Sequence, residues 1–343
     1  MDHFEEALPG FDNEELPISP ADAVIYSPKY EKQDPSVNVW LKSVTSLALY
    51  LALGYFIFKR WEILLLITAI VMIHELGHFF AMKYYKYSDL GIFFIPLLGA
   101  YVSGRKREVS QKQSAIILLA GPLPGIIIGS ILYILGERNP SLDLFDIPFS
   151  RMAILFIILN LINLFPVYPL DGGQLLNRVF LDEESWVSKL FIFLSAGFMA
   201  WFAWNLYTSS GHALYLALLL FPLTMLLRLR SDSKFKAVEK RIEEEQINAD
   251  ISYEELPDED YWKIRNILVS HHPAFRDIET APPYEYSPKE ERVMTTIQSL
   301  LHRHLIQDLS IAGKIFIFLI WVAAIASPWL LNMDMSFFNR LGF

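Results

Sequence analysis

Cysteine is absent from the 343 residues. Neither a disulfide framework nor a thiolate metal site can form, so any metal must be held by histidine and carboxylate side chains. Charge is also scarce: charged residues make up 20% of the chain against 53% hydrophobic, which is too apolar for an ordinary soluble protein of this size. The net charge of −9 comes from acidic residues crowded into two aqueous segments, and no nucleic-acid footprint is visible. The opening stretch, MDHFEEALPGFDNEELPISP, lacks a basic n-region and an apolar h-region. It is therefore not expected to be a cleaved secretory signal, and the first membrane span is expected to serve as its own signal anchor.

What the chain has in abundance is apolar windows long enough to cross about 30 Å of hydrocarbon. Residues 40–58, 62–82, 113–135, 152–167, 187–207, 213–227 and 311–331 qualify or nearly so. The expected fold class is an all-α polytopic membrane protein with about seven transmembrane helices. Residues 1–38 read as an acidic, Pro-rich arm, 39–230 as the membrane core, 231–309 as a small, mostly helical soluble domain, and 310–343 as a last span with its tail. One apolar piece within the core fits no span. Residues 91–104, GIFFIPLLGAYVSG, are too short to cross as a helix, are broken by Pro96 and Gly99, and are rich in β-favouring side chains. They are expected to form a membrane-dipping β-hairpin spanning about 89–104.

Lys83, Lys86, Arg105, Lys106, Arg107 and Lys112 follow the second span, Arg178 and Lys189 the fourth, and Arg228 and Arg230 the sixth. The positive-inside rule makes that side cytoplasmic, with the N-terminus inside and the C-terminus outside; Lys59 and Arg60 run against it. A multi-pass protein of a bacterial cytoplasmic membrane is the expectation.

Three polar residues interrupt the second span. His74, Glu75 and His78 form an H-E-x-x-H pattern, which arises by chance roughly once in a hundred chains with this many histidines. On a helix, positions i and i+4 share a face, so both imidazoles can hold one zinc ion while the glutamate reaches a water on it. The bland alternative is a helix end whose histidines cap or snorkel. Burial argues against that, because a charged carboxylate near the bilayer centre costs about 2.5 to 3.5 kcal/mol. A catalytic zinc takes three protein ligands, and Asp171, in residues 160–178, NLINLFPVYPLDGGQLLNR, offers the third. Pro166 and Pro169 break the span there, and Gly172 and Gly173 are expected to place the carboxylate on irregular backbone lining a cavity. Taken alone, Asp171 also suits an N-cap on the following helix; beside the histidine pair, the ligand reading prevails.

HELGH in one span and N-x-x-P-x-x-P-L-D-G-G from Asn163 to Gly173 in a later one together resemble the site-2 protease family of intramembrane zinc metalloproteases. The resemblance covers about residues 62–178. It implies one Zn2+ per chain held by His74, His78 and Asp171, Glu75 as the catalytic carboxylate, and Asn163 as a contact to substrate or oxyanion. It further implies that Gly99, Ala100, Tyr101 and Val102 present substrate. The sequence AGPLPG, residues 120–125, is similar to a Gly-Pro motif of the family's third core helix; Gly121, Gly125 and Gly129 recur every fourth position and suit close helix packing. Neither a PDZ-like insertion nor a CBS-like pair fits the chain, so the arm and the domain 231–309 would take any regulatory part.

The implied activity is endoproteolysis of a single-pass transmembrane substrate in the lipid bilayer, with no nucleic-acid partner. A membrane-embedded zinc peptidase for soluble or lipidated peptides, and a non-catalytic binder of membrane helices or a transporter, are the alternatives; LDGG speaks against the first and an intact Glu75 against the dead form of the second. His212, His271, His272, His302 and His304 share no helix face in the manner of His74 and His78, so a second metal site is not expected.

Overall fold

The computed structural model describes residues 25–31, 39–58, 60–96, 99–106, 109–181, 185–249, 251–301 and 305–333. The first 24 residues of the acidic arm, Lys59, Arg107, His302, His304 and the tail from residue 334 lie outside them.

Long apolar runs with no internal proline become helices, and the polar residues between them set the ends. α1 (Val39–Ile57) and α2 (Trp61–Tyr84) come first, α2 carrying Glu62 in its first turn and Lys83 in its last, each favourable to the helix dipole. Ser110, Ser185 and Ser310 accept hydrogen bonds from Gln113, Ser188 and Gly313 main-chain N–H groups, and so cap α3 (Gln111–Ala120), α7 (Trp186–Ser210) and α11 (Ile311–Ile325). Gly211, at φ 70°, ends α7 in the left-handed conformation that glycine adopts without strain.

The protein is polytopic and mostly helical. Among the described residues four helical stretches are long and apolar enough to cross a membrane: α1, α2, residues Gln111–Arg138 and α7. Phe149–Asn163, Ala213–Leu227 and Ile311–Ile325 are apolar but shorter. The expected third span is thus two helices, α3 and α4 (Pro122–Arg138), meeting at Gly121. Pro122 lacks the N–H that would continue the ladder but suits the first position of a new helix. α5 (Phe149–Asn163) stops short of the expected residue 167, and the stretch from Ala213 starts as a 3-10 turn before α8 (Leu220–Glu244).

The apolar piece that fitted no span forms two antiparallel strands, β1 (Ser88–Ile95) and β2 (Gly99–Arg105), with Phe94 opposite Ala100 and Ile92 opposite Val102. Among the described residues no third strand joins the pair, so β2 has one edge on β1 and no strand on its other edge. α1 leans on β1: the Phe94 N–H donates to Ser46 Oγ at 3.1 Å. A second, minimal hairpin, β3 (Asp143–Leu144) and β4 (Ile147–Pro148), joins α4 to α5 and was not foreseen.

Residues 238–301 gather around a core of their own. α8 runs unbroken through residue 230, so its far half supplies Val238 and Ile242 to a cluster with Trp262, Ile264 and Leu268 of α9 (Asp258–His271) and Val293 and Ile297 of α10 (Glu290–Leu300). At its centre Arg265 pairs with Glu290 through Nε to Oε1 at 2.7 Å and Nη2 to Oε2 at 3.1 Å, and the Tyr261 hydroxyl donates to Oε1 at 2.5 Å. Burial and that carboxylate push the Tyr261 hydroxyl far above the ordinary tyrosine range, so it remains a donor. Asn266 pins the Pro-rich break by exchanging side-chain hydrogen bonds with Ala281. The exit strand docks back onto the membrane core, where Ile306 bridges to Ser110 and Asp308 Oδ1 accepts from the Lys112 N–H at the start of α3. α11 and the short α12 (Ser327–Leu330) close the described chain.

Candidate metal centre

Because α2 is helical through residue 84, His74 and His78 lie one turn apart on a buried face, 6% and 9% exposed. Glycines let neighbouring helices reach that face. A Cβ at Gly77 would strike the Ala120 carbonyl, and one at Gly121 would overlap the His78 ring. Close crossing of α2 and α3 at these two residues sets the depth of His78, while Gly125 and Gly129 give the same room to Asn160 and Ile157 of α5.

The third group comes from α6 (Asp171–Leu175), which continues as a π-helical turn, Leu176–Phe180. The expected position of the irregular backbone shifts here. Asp171 opens a helix, and the irregular stretch is 164–170 just before it. Gly172 and Gly173 explain the difference: a side chain at either would run into the main chain of residues 164–165 or 167–168 folded over the helix start. Polar groups of that turn find partners from other helices. Trp321 Nε1 donates to the Leu164 carbonyl at 2.9 Å, the Tyr168 N–H to Ser195 Oγ at 3.2 Å, and Gln174 Nε2 to the Pro169 carbonyl at 2.9 Å. Irregular backbone at membrane depth persists only when satisfied in this way.

Asp171 does not cap its helix; the cap position is Leu170 and carries no side-chain cap. Its Oδ2 lies 3.1 Å from His74 Nε2 and 3.3 Å from His78 Nε2, while the two Nε2 atoms are 3.1 Å apart. The proton positions follow from the partners. The Ile117 carbonyl can only accept, so His78 Nδ1, at 2.8 Å, carries the hydrogen. Asn160 Nδ2 donates to the Phe156 carbonyl at 2.7 Å, which turns Oδ1 towards His74 Nδ1 at 2.9 Å and places the hydrogen there too. Both Nε2 atoms therefore present lone pairs to each other and to a carboxylate oxygen that is buried and has no hydrogen-bond partner. Such a set is mutually repulsive until a cation joins it, and the three residues form a cluster able to coordinate a metal.

Glu75, 6% exposed, lines a cavity of about 440 Å³ together with the histidines, Asp171, Asn163 and residues Ala100, Tyr101 and Val102 of β2. Val102 makes a main-chain hydrogen bond to Glu75. Gly99 and Ala100 of β2, with Asn160 and Asn163, border a smaller adjoining cavity of about 90 Å³. Every residue singled out for chemistry in the sequence thus borders one of these two spaces. Three residues were missed: Asn160, which orients His74; Gln174, which holds the turn before Asp171; and Trp321. Asn160 carried a partial signal, being a second amide one turn before Asn163 in an apolar span, but nothing in the sequence named its partner.

The role of Asn160 leads to a first expected result. Asn160→Leu keeps the volume and removes the acceptor on His74, so metal affinity should fall about 10- to 100-fold while the protein still folds, measured by competition with a chelating dye. Unchanged affinity would show that His74 is oriented by packing alone.

Residues 62–141 match Peptidase family M50. Over 124 residues the chain is 31% identical to the stage IV sporulation protein FB of Bacillus subtilis, covering 35% of this chain and 41% of that protein. Over 144 residues it is 29% identical to a zinc metalloprotease of Methanocaldococcus jannaschii, covering 40% of each. The chain therefore spans about two fifths of the length of the curated relatives it matches. Among solved structures, the site-2 protease from Methanocaldococcus jannaschii aligns with 54% of this chain and 84% of its own, at 22% identity and a TM-score of 0.38. The matched segment carries HELGH and stops before Asp171, which the fold brings to the histidines independently. The match over residues 62–141 and the cluster of His74, His78 and Asp171 together make this part of the chain similar to the zinc metalloproteases of Peptidase family M50.

Proposed function

We propose that this protein is an intramembrane zinc endopeptidase that hydrolyses peptide bonds in or near the transmembrane segment of single-pass membrane proteins. The observation that carries the reading is the convergence of His74 Nε2, His78 Nε2 and Asp171 Oδ2 beside Glu75 in one cavity. Ligand atoms about 2.0 to 2.2 Å from a tetrahedral zinc lie roughly 3.3 Å apart, close to the 3.1 and 3.3 Å separations here. One Zn2+ per chain fits this donor set, with the fourth position left for water.

Bound zinc supplies a water with its pKa lowered towards about 7 and polarises the scissile carbonyl. Glu75 would accept the proton released as a water oxygen bonds to the scissile carbonyl carbon and would return it to the amine nitrogen as the C–N bond breaks, leaving a carboxylic acid and a neutral amine. Asn163 donates one Nδ2 hydrogen to the Leu159 carbonyl at 3.1 Å and keeps the other for the oxygen on which charge develops. A donor in that role is worth about 2.7 to 4 kcal/mol in other enzymes. A helical substrate must unwind to expose a carbonyl, and an extended segment then pairs with the free edge of β2 at Ala100, Tyr101 and Val102. Helix-breaking residues in the substrate lower the cost of unwinding.

The same reading arranges the chain as seven spans, with the core at 39–230, the soluble domain at 231–309 and the last span in 310–343. The basic loops support an N-terminus and metal centre facing the cytoplasm of a bacterial cell, against Lys59 and Arg60 on the other side.

Treating the purified protein with 1,10-phenanthroline should abolish cleavage of a single-pass reporter in liposomes, and one equivalent of zinc should restore it. Cleavage that persists after the metal content has fallen to zero would rule the reading out.

A further inference from the structure

The soluble domain holds a piece of the N-terminal arm. Residues 26–30, YSPKY, lie across α9 and the Pro-rich segment after it, with no strand pairing and with contacts at every step. Trp262 Nε1 donates to the Ser27 carbonyl at 2.7 Å, the Tyr286 hydroxyl to the Pro28 carbonyl at 2.5 Å, and the Tyr253 hydroxyl to the Tyr30 carbonyl at 2.6 Å. The Lys29 N–H donates to Asp258 Oδ1 at 2.8 Å. Tyr26 and Tyr30 pack against Tyr284 and Tyr286, with ring centroids 4.9 and 5.3 Å apart. The Lys29 ammonium donates to the carbonyls of Glu254 and Leu256 at 2.7 and 2.8 Å and stands 5.8 Å from the centre of the Tyr253 ring.

This is how domains that read short linear peptides are built. Side-chain donors on the groove reach the main chain of an extended, proline-containing segment, aromatic walls take its rings, and one pocket reads a cation. Tyr26 and Tyr30 are half-buried at the edge of the core, Ser27 and Lys29 are half-buried as well, and Pro28 is exposed, with Ile25 87% exposed beside the segment. A segment seated on the edge of the core by hydrogen bonds, ring contacts and two half-buried tyrosines, and joined to α1 through residues 32–38, is a ligand at high effective concentration.

We propose that the groove between Tyr253, Trp262, Tyr284 and Tyr286 is an exchangeable peptide-binding site selective for an extended Tyr-Ser-Pro-Lys-Tyr segment, and that residues 26–30 are its resident ligand in cis. Lysine is the selective element, because its ammonium donates to two carbonyls and faces a tyrosine ring together, which a neutral side chain does not. The proposal is independent of peptidase activity and is read by binding alone.

The absence of native cysteine allows the whole chain to be labelled at Ile25→Cys with a dye quenched by nearby tryptophan. In detergent, the labelled arm should be quenched and should become brighter as the peptide IYSPKYE is added. In the Lys29→Gln chain the arm should already be bright, and a fluorescein-labelled IYSPKYE should bind saturably, at least about tenfold more tightly than to the unaltered chain. The same peptide with glutamine for lysine should compete about tenfold or more less well. Asp258→Asn, at an exposed position outside the core, serves as a second loosened chain should Lys29→Gln lose helical content. Absence of saturable binding to a folded, loosened chain would overturn the exchangeable site, and equal competition by the two peptides would overturn its selectivity for lysine.

Discussion

Glu75→Gln should retain zinc at the level of the unaltered protein and lose cleavage by about 10²- to 10⁴-fold, the usual contribution of a positioned general base. Glutamine has the volume of glutamate and fills the same place in the cavity, so the metal cluster of His74, His78 and Asp171 is left as it is. The side-chain amide cannot take a proton from the attacking water. Zinc content by mass spectrometry and single-turnover cleavage of a single-pass reporter measure the two quantities separately. Comparing membrane proteomes of cells carrying Glu75 or Glu75→Gln should also show precursors accumulating with the altered protein, which identifies substrates. Full cleavage by the variant would assign the base elsewhere, and loss of zinc along with activity would make Glu75 a ligand instead.

The second large effect concerns the residue furthest in sequence from the histidines. Asp171→Asn should lower zinc affinity by well over the roughly 100-fold expected at most for an outer-shell partner such as Asn160. The substitution is nearly isosteric, and Asp171 makes no cap to lose, so its effect falls on the charge facing the two Nε2 lone pairs. Two neutral imidazoles remain, one ligand short of the set that holds a catalytic zinc. Competition against a chelator of known affinity, alongside circular dichroism to confirm helix content, measures the change. Affinity within a few-fold of the unaltered protein would remove Asp171 from the ligand set.

The histidine pair was legible because helical periodicity is a local property, and four residues of spacing decide which side chains share a face. Asp171 was legible for a different reason, since prolines and glycines in an apolar run announce backbone that must line a cavity. How it gets there was not legible. Gly172 and Gly173 suggest irregular backbone when read alone, and only the chain folded over them at 164–168 shows that they serve close approach to a regular helix. Asn160 was hidden because its partner, His74, lies 86 residues away, and no local pattern links an amide on one helix to a ring on another. Trp321 was hidden in the same way, its indole serving a carbonyl 157 residues distant. The break at Gly121 could be read from the following proline, but its meeting with His78 could not. The arm is the largest gap: the composition of residues 1–38 reads as solvated tail, yet residues 26–30 supply main-chain carbonyls matched to side chains more than 220 positions later.

α8 joins the two halves of the molecule as a shaft. It is 25 residues long, about 37 Å at the usual rise, with no break between its ends. Phe221 in its first turn borders the metal cavity, and Val238 and Ile242 near its other end are locked into the soluble domain. One continuous helix thus carries both a wall residue of the chamber and two side chains of the distant core, with no loop between them.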